Sequence, residues 1–135
     1  MSDENPNIAA SAATATDTNA DLKSAQCQVC HSGGEPYTRQ QAQQQLQQHA
    51  SQLGEWQIQE CDGVCQLWRS YRFKNFVTAL AFTNRVGELA EQQGHHPDLL
   101  TRWGAVEVTW WSHSIKGLHR NDFICAAKAE QLYSE

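Results

Sequence analysis

The sequence has no run of about 18 or more apolar residues, which argues against a membrane-spanning helix. It also lacks an export signal at its start. Met1-Ser2-Asp3-Glu4-Asn5 carries acids where basic residues are needed, and no apolar segment follows. Basic charge is scarce, with ten Lys and Arg against fifteen Asp and Glu, a net charge of −5. Those ten are scattered, so there is no electrostatic footprint for direct nucleic-acid binding. These absences predict a cytoplasmic protein with neither a membrane nor a nucleic acid as direct partner. What remains is one domain, since 135 residues suffice for a single core. Five cysteines without an export signal read as reduced thiols, not a disulfide framework. Cys61, Cys65 and Cys125 are expected to be small buried or half-buried side chains.

Large apolar residues are nearly missing from the first 25 or so positions. Such a segment buries too little surface to offset its chain entropy and reads as disordered. Cys27-Gln28-Val29-Cys30-His31 matches the C-x-x-C-H pattern of c-type haem attachment. That chemistry belongs to exported proteins, and a second ligand pair at zinc spacing is missing. Residues 1–36 are therefore expected to be a disordered extension with exposed thiols, and deleting residues 1–34 is expected to leave activity and thermal stability nearly unchanged. Residues 37–135 form the expected domain.

Within that domain Thr38-Arg39-Gln40-Gln41 has the capping-box pattern that starts a helix, and Gly54 is a suitable stop. His49 on this helix reads as structural. Asp62-Gly63 signals a hairpin between a strand around Trp56 and Ile58 and one from Val64 to Phe73. Leu67, Tyr71 and Phe73 share one face of the second strand, with Trp68 on the other. Asn75 can cap a helix over Phe76–Gln93, ended by Gly94, whose polar side Val77 and Ala81 interrupt. Strands follow over Leu99–Trp103 and Ala105–Trp111, then a helix from about Asn121 to Tyr133. The order α-β-β-α-β-β-α predicts an α+β fold, a four-stranded antiparallel sheet with three helices on one face.

Three of the six histidines, His95, His96 and His113, fall at loops and strand ends, where side chains can share a cleft. Imidazole titrates near neutrality, so such a set suggests acid–base work or metal binding. A three-histidine zinc site is one alternative. Adjacent histidines in an extended loop tend to point apart, which suits a flat substrate better than one ion. Glu91 and Asp122 are carboxylates able to orient an imidazole or raise its pKa. Asp122 also has a structural reading near a helix start, and Trp103 reads equally as core packing or as a ligand contact.

The spaced series Glu91, three residues, His95-His96-Pro97, five residues, Trp103, nine residues, His113, eight residues, Asp122 resembles the signature of the pterin-4a-carbinolamine dehydratases. The resemblance spans about residues 37 to 133. Ala79-Leu80-Ala81-Phe82-Thr83-Asn84 and the stretch from Val108 to Asp122 look like its bacterial branch, associated with phenylalanine hydroxylase. It implies dehydration of 4a-hydroxytetrahydropterin to quinonoid dihydropterin, with the pterin as substrate and no cofactor or metal. It further implies that His95 and His113 act as general acids for hydroxyls on opposite pterin faces. His96 would bind substrate and assist as base, and Glu91, Pro97, Trp103 and Asp122 complete the substrate-binding set. Pro97 shapes the loop by disfavouring the α conformation at His96. Where the family often has an arginine before the aspartate, this chain has Asn121, with Arg120 one place earlier. The resemblance also implies a homodimer or homotetramer, with phenylalanine hydroxylase a candidate partner. Animal relatives serve as a dimerisation cofactor for a transcription factor, so a regulatory binding module is the alternative function.

Overall fold

The computed structural model describes residues 21–28 and 34–134. Helix α1 (Arg39–Gln48) opens on a complete capping box. The Gln41 N–H donates to Thr38 Oγ1, and the Thr38 N–H to Gln41 Oε1. A short helix α2 (Ala50–Leu53) continues it beyond His49, which is buried as a structural residue would be. Strands β1 (Gln57–Cys61) and β2 (Val64–Arg72) form the hairpin, with Asp62 and Gly63 at positive φ in its turn. Helix α3 (Phe76–Gln93) starts where Asn75 Oδ1 accepts the Thr78 N–H at 2.9 Å. Strands β3 (Asp98–Arg102) and β4 (Ala105–Trp110) precede helix α4 (Arg120–Ser134).

The four strands make one antiparallel sheet in the order β1-β2-β4-β3. This is the α+β architecture expected, with strand ends displaced by a residue at most. Opposed pairs Leu67–Trp110, Arg69–Val108 and Tyr71–Val106 set the inner face. There Leu67, Tyr71, Val106, Val108 and Trp110 are inaccessible to solvent and meet Phe82, Val86, Phe123 and Ile124 of the helices. The period-2 alternation is what carries this, since a shift of one residue would turn Trp110 outward. The opposite face is more polar: Trp68 Nε1 donates to Glu107 Oε1 at 3.1 Å, and Arg102 pairs with the same carboxylate.

Three expectations need correction. Cys61, expected to be at least half-buried, is exposed at the end of β1 beside the hairpin turn. Trp103 is not core: it stands 69% exposed in the β3–β4 turn. Nor is the whole N-terminal extension unpacked. Leu22, in a single 3-10 turn (Leu22–Ser24), is fully buried in the main core, and its N–H donates to Gln52 Oε1 at 2.7 Å. Composition missed this because one leucine and a few backbone hydrogen bonds anchor the segment, leaving its polar side chains in water. Cys30 and His31 of the C-x-x-C-H segment lie outside the described residues.

Candidate active site

The site lies where three chain reversals meet: the end of α3, the loop after β4 and the start of α4. Gly94 follows α3 in the left-handed region, at φ 63° and ψ 30°. Its N–H bonds Glu91 O and the His95 N–H bonds Ala90 O, the Schellman arrangement that satisfies the last helical carbonyls. That motif delivers His95 inward, 8% exposed, stacked parallel to buried Trp110 at 5.7 Å. His96 is thrown outward and its Nε2 lies 2.6 Å from Glu91 Oε2. Both side chains of that pair are well exposed. Pro97 follows, half-buried, and leads directly into β3.

Asp122, on the first turn of α4, is fully buried. Its Oδ1 is 2.6 Å from His95 Nε2. Its Oδ2 accepts from Ser112 Oγ at 2.8 Å and from the His119 N–H at 2.9 Å. One oxygen therefore holds the imidazole while the other caps the helix, so the two readings of Asp122 describe two halves of one carboxylate. Each group also sits at the helix end that suits its charge, the imidazole at the C-terminus of α3 and the carboxylate at the N-terminus of α4. Burial works against the charged form of His95, but the Asp122 carboxylate, by hydrogen bond and charge, outweighs it. The His95 pKa is left above the ordinary imidazole value.

His113 begins a 3-10 turn (His113–Ile115) and is exposed, its ring stacked on Trp111 at 4.1 Å. The loop is closed by the Ser112–Gly117 bridge. Glycine is required there, because a Cβ at 117 would come within 2.5 Å of Pro36 Cβ. His95, His96 and His113 together border a cleft of about 620 Å³, with Gln93, Ser114 and Asn121. Trp103, at the far end of β3 from His96, is not among its lining residues. Among the described residues no three His, Cys, Asp or Glu side chains come together as a metal-binding group. The sequence reading missed Ser112 and Trp110, which hold the His95–Asp122 pair from below. It also missed Cys27 and Gln28, which line the cleft from the N-terminal segment.

The profile of the family described as Pterin 4 alpha carbinolamine dehydratase matches residues 35–132. The chain belongs to that family. It is 52% identical over 111 residues to a Vibrio cholerae protein provisionally named a pterin-4-alpha-carbinolamine dehydratase, covering 82% of this chain and 98% of the relative. A Saccharophagus degradans protein of the same provisional name is 49% identical over 113 residues, covering 84% and 96%. Among solved structures, a transcriptional coactivator/pterin dehydratase from Brucella melitensis aligns with a TM-score of 0.59 at 28% identity, covering 75% of this chain and all of that one. A pterin dehydratase-like RuBisCO assembly factor of the alpha-carboxysome shares the fold, with a TM-score of 0.52 at 19% identity over 62% of this chain and 95% of its own.

Proposed function

We propose that this member of the carbinolamine dehydratase family dehydrates 4a-hydroxytetrahydropterin to quinonoid dihydropterin. The observation that carries the reading is the buried His95–Asp122 pair at the wall of a cleft that His96 and His113 also border. Water leaves when the 4a-hydroxyl is protonated and the C4a–O bond breaks. The N5–H electrons then become the new C4a–N5 π bond as a base takes that proton. His95, biased toward imidazolium by Asp122, suits the acid step for one hydroxyl face, and His113 serves the other. His96, oriented by Glu91, takes the N5 proton. Each transfer is ordinary imidazole acid–base chemistry near neutral pH, so the reaction needs no cofactor or metal.

In this reading the enzyme is cytoplasmic and returns the pterin of a phenylalanine hydroxylase to its recycling route. No helix among the described residues is long and apolar enough to cross a membrane, which is compatible with that setting. The assembly is a homodimer or homotetramer, supported by Phe76, Val77 and Leu80, which leave an apolar patch exposed at the start of α3. The same patch favours a second, regulatory binding role of the kind named for the Brucella protein. The test is dehydration of freshly generated 4a-hydroxytetrahydropterin, followed as the rate above the spontaneous reaction. No acceleration by the folded protein would overturn the enzyme reading and leave the binding role.

A further inference from the structure

The cysteines are not used by the chemistry above, yet two of them meet at the cleft. Cys27 Sγ lies 3.4 Å from Cys125 Sγ. We propose that Cys27 and Cys125 are an oxidisable dithiol, which a hydroperoxide entering the cleft converts to a disulfide between the N-terminal segment and α4.

The placement of Cys27 is built. Its N–H donates to Gln93 Oε1 at 3.0 Å, and its neighbour Gln28 is clamped by Asn121 from both sides. The Gln28 N–H donates to Asn121 Oδ1 at 2.9 Å, and Asn121 Nδ2 donates to Gln28 O at 2.6 Å. The Asn121 amide thus forms a main-chain clamp on the segment. Upstream, buried Leu22 anchors the same segment. A disulfide is about 2.05 Å long, so the sulfurs must close by about 1.4 Å, within reach of small side-chain rotations.

The two thiols are unequal. Cys27 is half-buried and lines the cleft, whereas Cys125 is fully buried. The hydrogen bond with Cys125 lowers the Cys27 pKa below the ordinary thiol value against the opposing effect of burial, and the nearby His95 charge helps. The same hydrogen bond, with burial, pushes Cys125 up. Cys27 is therefore the nucleophile and Cys125 the resolving partner. The Cys27 thiolate attacks one oxygen of the hydroperoxide and the O–O bond breaks. The leaving alkoxide or hydroxide takes up the proton that Cys27 had released, leaving Cys27 as a sulfenic acid. Cys125 then attacks the Cys27 sulfur, the S–O bond breaks, and the oxygen departs with the Cys125 proton as water. Two thiols and one hydroperoxide give one disulfide, one alcohol or water, and one further water.

The test treats the full chain with one equivalent of hydrogen peroxide, blocks residual thiols and maps peptides without reduction. Its readout is chemical, so it stands apart from the dehydratase reading. The expected result is a Cys27–Cys125 cross-link within one chain, reversed by dithiothreitol and retained in Cys30→Ser. In Cys125→Ser, dimedone should label Cys27 at least tenfold more than in the unsubstituted protein, because the sulfenic acid is no longer resolved. Should that variant not fold, the map of the unsubstituted protein and of Cys27→Ser decides. A Cys27–Cys30 disulfide in place of the cross-link, or Cys125 still free after Cys27 is oxidised, would overturn the proposal.

Discussion

Replacing Asp122 by Asn keeps the shape of the side chain and removes its charge. The carboxylate now accepts three hydrogen bonds, from His95 or its protonated form, Ser112 and the His119 N–H. An amide offers a single acceptor oxygen, so it cannot accept from all three, and with its NH2 toward His95 it can only donate to the neutral imidazole. Losing the charge-assisted bond to His95 costs about 1.5–3 kcal/mol. Weakening the cap adds about 1 kcal/mol, so Asp122→Asn should destabilise the fold by about 2.5–4 kcal/mol. The pH dependence identifies the cause. The pKa of His95 is raised in the fold, so the stability it contributes is fully present below its unfolded value of about 6.5. That contribution is lost as pH rises through the higher folded value. Urea unfolding at about pH 5.5 and about pH 9 should therefore show a larger wild-type advantage at the lower pH. Dehydratase turnover should fall by about 10²-fold, with its high-pH limb moved to lower pH. An equal loss of stability at both pH values, with the limb unmoved, would refute the ion-pair reasoning.

Removing the other acid–base groups should separate their roles. His96→Ala, and His95 and His113 replaced together by Ala, should each slow turnover by about 10²–10⁴-fold with the far-UV spectrum intact. Single loss of His113 should be milder when both hydroxyl stereoisomers are supplied. Sedimentation at micromolar concentration should show a dimer or tetramer, and Val77→Asp, placing charge at a 74% exposed apolar position, should shift it toward the 15.2 kDa monomer. A native protein that sediments only as monomer would dispose of the assembly. Leu22→Ala should lower stability by about 2–5 kcal/mol, because that side chain is fully buried. An unchanged urea midpoint would show that the N-terminal segment contributes nothing to the core.

Much of the fold was legible because its signals are local. Thr38 with Gln41, Asp62-Gly63, and Asn75 with Gly94 mark boundaries through short-range hydrogen bonds and backbone preferences, and the structure keeps each. The period-2 alternation from Val106 to Trp110 settled which sheet face is buried. The histidines and Glu91 were legible as a spaced series, and His95, His96 and His113 do border one cleft. What was hidden depends on contacts across long sequence separations. Ser112 and Trp110 become parts of the His95 environment only after β4 packs beside α3. The burial of Leu22, against Gln52 thirty residues on, leaves no trace in a window of polar composition. Trp103 illustrates the converse, since its size suggested burial and the turn geometry leaves it in water.

The division of labour within one carboxylate has a bearing on how this protein can change. Stability and activity commonly pull against each other at an active site, so that many replacements of catalytic groups make a protein hardier. Under the proposed mechanism they pull together at position 122, because Oδ2 closes a helix and Oδ1 steadies an imidazole. A library selected only for thermal endurance, in the complete absence of pterin, should therefore retain aspartate there. Reinforcing mutations elsewhere could restore the lost stability of an Asp122 variant without restoring its turnover, since no distant gain in packing supplies an oxygen beside His95.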